Sequence, residues 1–217
     1  MSMLRVIAVA VVTVGFFVIA MVGPLIAHLN RRIRDPTEAE DELIETYRSG
    51  VGPRVPRRKV VITVGEASVD ATIRGPPGYR VLFITDHVLH ELDPSIARPL
   101  VAAAFARRAT WYDEYRVVAS TVAIALGMAT VTLLLPFELG MAGLILAALV
   151  MFAVGRWLQY RADDIAADAV GSSALVEAFE AIANVHDIDL TTGGMRRYLD
   201  VQPSLGDRVA RLNKRGE

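Results

Sequence analysis

Long unbroken apolar runs alternate with compact polar stretches along this chain, and the apolar runs set its layout. "LRVIAVAVVTVGFFVIAMVGPLIAHL" (Leu4 to Leu29) exceeds the about 20 apolar residues that cross a bilayer core. "VVASTVAIALGMATVTLLL" (Val117 to Leu135) and "LGMAGLILAALVMFAVG" (Leu139 to Gly155) predict a second and a third span, parted only by "PFE" and so folded as a tight helical hairpin. A buried helical pair of a soluble protein accounts for them less well, because uncharged runs of this length are the mark of membrane helices.

The polar stretches carry their own periodicities. "DPTEAEDELIETYRSG" opens on an Asp-Pro start signal and closes at Gly50, a short acidic amphipathic helix. "KVVITV" and "RVLFIT" read as β-branched strands, "SVDATIRG" as a weaker third, and "GPPG" (Gly75 to Gly78) as a turn. At Asp93 the pattern becomes helical, with Asp93 as cap and Pro94 at the first helical position. This helix is predicted to run through Arg107 and straight into the second span. Beyond the third span "RWLQYRADDIAADAVG" continues helical, and "SSALVEAFEAIANVH" forms another helix capped by Ser172 or Ser173. The tail "DVQPSLGDRVARLNKRG" predicts a loop and a final helix.

The fold class expected is therefore an α+β membrane protein with an anchor (1–30), a cytoplasmic α+β part (31–115), a transmembrane hairpin (116–158) and a cytoplasmic helical part (159–217). The hairpin sets its two flanking helices side by side, so a site is expected between Asp93–Tyr115 and Arg156–Gly171.

Composition changes this picture in three respects. The hydrophobic share of the 217 residues is 53%, high for a soluble protein and concentrated in the three runs. The first run is too long for a signal-peptide core, has no A-x-A-like cleavage site and is followed by "NRRIR", so a retained anchor is expected. Arg5 precedes it while Arg31, Arg32 and Arg34 follow, which places the N-terminus outside and the polar segments in the cytoplasm. The hairpin agrees, because its turn lacks Lys and Arg while Arg107, Arg108, Arg116, Arg156 and Arg161 flank its other ends. With no cysteine, disulfides and thiolate metal sites are excluded. A net charge of −1 argues against a nucleic-acid partner. The basic run "PRVPRRK" (Pro53 to Lys59) suits anionic lipid head groups instead.

Several motifs occur in one order along the chain. "TDHVLHELD" (Thr85 to Asp93) leads into the helix holding Ala102, Ala103, Ala104, Phe105, Ala106 and Arg107; "QYRAD" (Gln159 to Asp163) follows the hairpin; "QPSLGDRVARL" (Gln202 to Leu212) comes near the end, and "DATIRG" (Asp70 to Gly75) stands upstream. This order resembles the HtpX-type integral-membrane zinc metallopeptidases, whose corresponding motifs are T-D-G-L-L, A-H-E-x-x-H, E-[FY]-x-A-D, H-P-[PS]-x-x-x-R-[IV]-x-x-L and N-A-F-A-x-G. The resemblance implies zincin-like helices interrupted by the membrane hairpin, and zinc held by two imidazoles and a carboxylate.

In that alignment the imidazole positions are Ala103 and Arg107, the general-base position is Ala104, the carboxylate position is Gln159 and the orienting aspartate is Asp163. A methyl group cannot ligate zinc or take a proton, and Arg107 puts a permanent cation where a dication would sit. The histidine of the last motif is also replaced, by Gln202. The sequence therefore implies a vestigial site with no zinc, no catalytic residue and no other cofactor. An Arg107–Asp163 ion pair is expected to replace the metal as the link between helices. Pro99 is a further departure, expected to kink its helix unless it lies close to the start.

The alternatives are an active metalloendopeptidase with non-standard ligands and a membrane protein unrelated to proteolysis; no HExxH occurs in the chain. His87, His90 and Glu91 have neither HExxH nor HxxEH spacing and read as a partly exposed turn with two solvated histidines. His28 and His186 have no partner in the sequence. Asp163, Asp164 and Asp168 read as a solvated or salt-bridged stripe, with Asp164 and Asp168 on one face and Asp163 turned away. Asp70, Ala71, Thr72 and Ile73 are expected in an edge strand that, in the family, pairs with an extended substrate. The implied function is binding rather than hydrolysis, with the bilayer, a membrane protease, its substrates or an unfolded membrane protein as partners in protein quality control.

Overall fold

A computed structural model describes residues 2–48, 50–51, 60–65, 69–190 and 202–216. The basic run Pro53 to Lys59 and most of the loop before the last helix lie outside the described residues.

Among the described residues, three helices are long and apolar enough to cross a membrane. Helix α1 (Ser2–Leu29) is the anchor, α5 (Tyr112–Val131) and α6 (Phe137–Val170) the hairpin. Val6, Ile7, Val11, Val14, Val18 and Ile19 of α1 are exposed, as are Val118 and Val122 of α5 and Ile145, Leu146 and Leu149 of α6. Apolar surface of this extent is satisfied by a bilayer, and the chain is an α+β membrane protein.

The hairpin turns earlier than "PFE" predicts. Helix α5 stops at Val131, Leu133 takes a left-handed φ of 57°, and the amides of Leu134 and Leu135 both reach back to the Ala129 carbonyl. Pro136 then stands at the N-cap of α6, where a fixed φ and a missing N–H do no harm. Gly140 makes the return possible: a Cβ there would lie 1.9 Å from Oγ1 of Thr130. The hydroxyl of Thr130 is already donated to the Leu126 carbonyl at 2.8 Å. Tyr115 fastens the other end by donating to the Val150 carbonyl at 2.9 Å.

The sheet has four short strands, β1 (Ile33–Arg34), β2 (Val60–Thr63), β3 (Ala71–Arg74) and β4 (Val81–Thr85), in the order β1-β2-β4-β3. β2 and β4 run parallel, with Ile62 opposite Ile84, and every residue of β4 is buried, as expected of a central strand. β3 runs antiparallel to β4 with Thr72 opposite Phe83, and it ends the sheet. The "GPPG" turn joins them: the Tyr79 amide bonds to the Pro76 carbonyl at 3.0 Å, and Gly75 adopts a φ of +114° where a Cβ would meet the Tyr79 carbonyl at 2.3 Å.

Helices α2 (Glu38–Arg48), α3 (Asp86–His90), α4 (Pro94–Ala109), α7 (Ser172–Val185) and α8 (Leu205–Gly216) complete the described elements. α4 is the centre, packed by α2, α6, α7 and β3. Its residues from Pro99 to Ala106 are all buried, so it has lost the polar face a surface helix keeps. Asp93 caps it, accepting from the Ser95 amide at 2.8 Å, with Pro94 as the first helical residue. The helix continues across Pro99, which lies in its second turn and forgoes the bond to the Ser95 carbonyl.

Two helix boundaries differ from expectation. α4 does not run on into the second span: Trp111 takes a left-handed φ of 57° between α4 and α5, and the Thr110 amide closes α4 on the Ala106 carbonyl. α7 begins at Ser172 without a side-chain cap, because Gly171, at φ +93°, occupies the cap position.

Candidate functional site

Helices α4 and α6 lie along each other, and their facing sides are built of small residues. Ala102, Ala103 and Ala106 of α4 and Ala162, Ala166 and Ala167 of α6 belong to one buried core. Alanine favours both helices and lets them approach closely. Ala103 and Ala104 are 8% and 4% exposed, Gln159 and Asp163 each 2%, so the positions singled out in the sequence do lie in the buried layer of these helices.

Their chemistry is that of a cross-link. Asp163 accepts from Arg208 of α8 through two parallel bonds, 2.9 Å from Nε and 2.6 Å from Nη2. The Gln159 amide adds a third at 3.3 Å. The Arg208 guanidinium also lies 4.1 Å from the Phe179 ring of α7, so one side chain binds three helices. The aspartate stripe continues outward: Arg211 holds Asp164 at 2.9 Å, and Arg215 bridges Asp164 at 3.1 Å and Asp168 at 2.6 Å. Asp163 is turned inward and its two companions outward, and the stripe is salt-bridged.

The expected Arg107–Asp163 pair is not formed. Asp163 takes Arg208 instead, because the bidentate geometry of a neighbouring guanidinium satisfies both carboxylate oxygens at once. Arg107 makes no ion pair among the described residues. Burial pushes its pKa below the ordinary arginine value, and the like charge of Arg208 pushes it further.

Zinc does not fit these residues. The two positions that the motif order sets against imidazoles hold a methyl group and a cation, and the amide of Gln159 is committed to Asp163, whose oxygens are committed to Arg208. Zinc would have to displace Arg208 and would still lack imidazole.

The "HVLHEL" segment is partly exposed as expected, His90 more so than His87, but it is helical over most of its length rather than a turn. It forms α3, and both rings are bonded: His87 Nδ1 to Glu91 at 2.7 Å, His90 Nε2 to Glu40 at 2.7 Å. Glu40, Asp86 and His90 come close enough to share a cation, but Arg34 already occupies the centre, 2.8 Å from Asp86 and bonded through both terminal nitrogens to Glu40. Glu40 accepts also from the Thr37 amide at 2.7 Å. Arg34 first, and then these amide and imidazole bonds, hold the Glu40 carboxyl well below the usual carboxylate range despite its burial. His28, without a sequence partner, places Nδ1 2.7 Å from the Pro24 carbonyl and its ring 4.9 Å from that of Phe83.

β3 packs against α4, and its outer edge carries no strand among the described residues. Asp70 precedes the strand proper but prolongs the ladder, its carbonyl accepting from the Thr85 amide at 3.0 Å. Ala71 and Thr72 are partly covered and Ile73 is buried.

This arrangement is a membrane zincin-like fold. It is similar to the crystal structure of S. mikatae Ste24p, a membrane zincin metalloprotease, with a TM-score of 0.65 and 14% sequence identity over 93% of this chain and 56% of that one. The chain thus spans little more than half of that protein's length. No protein-family model and no curated protein matches the sequence.

Proposed function

We propose that this chain is a non-catalytic relative of the membrane zinc peptidases, of the HtpX type by its motif order, and that it acts by binding. The observation that carries the reading is the set of buried Ala103, Ala104 and Gln159 on the paired helices of a membrane zincin-like fold, with Asp163 taken by an arginine. Ala103 and Ala104 offer no group that ligates zinc or activates water, and the one carboxylate of the set, Asp163, is engaged by Arg208. Along α4 runs the edge of β3, unpaired among the described residues, a surface that pairs with an extended polypeptide by main-chain hydrogen bonds and requires no metal. The polypeptide proposed is an exposed segment of a membrane protease or of an unfolded membrane protein, and the setting protein quality control. The arginine distribution supports an N-terminus outside the membrane with the sheet and α4 in the cytoplasm.

The test is the metal content of the full chain, purified in mild detergent without chelator. Zinc well below one per chain is expected. Stoichiometric zinc overturns the reading; if it vanished in His87→Ala/His90→Ala, the metal would belong to α3 and an active peptidase with non-standard ligands would be the better account.

A further inference from the structure

A cleft of about 400 Å³ opens where the anchor helix meets the sheet, the start of α5 and the end of α4. Its two ends differ in chemistry. Phe16, Ala20 and Met21 of α1 and Val117 of α5 line it within the membrane spans. His28 and the residues of β3 and the following turn line it where α1 leaves the membrane and meets the sheet through Leu25. From Phe16 to His28 is three helical turns, roughly 18 Å along the axis.

The polar end is cationic. Arg74, Arg80, Arg108 and Arg116 face it against two carboxylates, Asp113 and Glu114. Arg80 is paired with Glu114, and Arg74 reaches Asp113 only at 3.7 Å, with its Nε buried and unbonded. Arg108 and Arg116 have no carboxylate partner among the described residues; Arg116 lies 5.8 Å from the Tyr112 ring. Burial pushes the pKa of both Arg80 and Arg108 down, and for Arg80 the charge of Arg108 adds to it, so an added anion would relieve both.

We infer that this cleft binds an anionic phospholipid, its phosphate held among Arg74, Arg108 and Arg116 and its acyl chains running along α1 and α5. Guanidinium groups match phosphate oxygens in paired geometry. A cleft of this size takes a head group and the first methylenes, leaving the chains in the bilayer. The apolar wall favours a lipid over a free anion or an acidic peptide, since α1 and α5 are flanked by hydrocarbon. The inference is independent of whether α4 descends from a zinc-binding helix.

The experiment is native mass spectrometry of the full chain, delipidated in detergent and titrated with phosphatidylglycerol, with phosphatidylcholine of the same chains, and with inorganic phosphate as competitor. One phosphatidylglycerol per chain in preference to phosphatidylcholine is expected, undisturbed by millimolar phosphate. Arg108→Gln and Arg116→Gln should each weaken it about fivefold, the worth of one arginine near an anionic membrane surface. Ser120→Trp, which fills the cleft without touching its charge, should weaken it too and serves where an arginine variant fails to fold. Equal retention of the two lipids, or unchanged binding in folded Arg108→Gln and Ser120→Trp, overturns the inference. Displacement by phosphate also overturns it, in favour of a free-anion site.

Discussion

Two arginines in the same layer have opposite energetic roles. Arg208 is bidentate to an aspartate that is 2% exposed, whereas Arg107 is partly covered and has no ion pair among the described residues. Removing one partner of a buried pair leaves an uncompensated charge, at a cost of about 3–5 kcal/mol. Arg208→Met should therefore lower the thermal midpoint by roughly 10 °C, at 2–4 °C per kcal/mol for a chain of this size. Arg107→Met, the same chemical change, should leave the midpoint level or raise it. Detergent-solubilised thermal unfolding of the two variants decides the matter, and a larger loss for Arg107→Met would refute the assignment.

Glu40 adds a pH dependence at the same scale. Its folded pKa is depressed, first by Arg34, so its contribution to stability is present above the ordinary glutamate value of about 4.3 and is lost as pH falls below it toward the folded value. Below pH about 4.3 the unfolded chain takes up a proton that the folded chain refuses. The thermal midpoint of the parent should fall by more than that of Glu40→Gln between pH 6 and pH 3.5, and parallel slopes would show that the Arg34 cluster does not contribute.

Among the elements, the hairpin depends on one close approach. Because a Cβ at Gly140 would overlap the Thr130 side chain, Gly140→Ala should push α5 and α6 apart and cost about 1–3 kcal/mol, the usual penalty of overpacking. Trimming the opposing side chain in Gly140→Ala/Thr130→Ala should recover most of it. If the double variant is as unstable as the single one, the contact does not limit the packing. Elements whose signal is local were legible in the sequence: the three spans, "RVLFIT" as β4, the glycine turn and the Asp93 cap follow from periodicity and turn chemistry alone. The break at Trp111 was not, because a tryptophan in left-handed backbone carries no turn signal, and tertiary contacts impose it. Nor was the partner of Asp163. Arg208, Arg211 and Arg215 do recur at the spacing of one helix face, but only the fold brings that face to an aspartate 45 residues away.

For the molecule as a whole, on the proposed reading, the question is how a zincin-like frame is held together without zinc ligands. Metal sites normally help to hold such helices together. Here the layer is closed by alanine packing between α4 and α6 and by the Asp163–Arg208 bridge to α8. In the proposed motif alignment Asp163 stands at the position of an orienting aspartate. A frame of this kind should accept its ligands back. Ala103→His, Ala104→Glu, Arg107→His and Gln159→Glu in one chain would restore two imidazoles one helical turn apart and a facing carboxylate, while removing the cation. The rebuilt chain should hold close to one zinc and unfold at a higher temperature with zinc than with chelator, whereas the parent should show neither effect. A rebuilt chain that folds yet binds no zinc would mean that α4 and α6 do not stand in zincin register, and the kinship proposed from the motif order would fail with it.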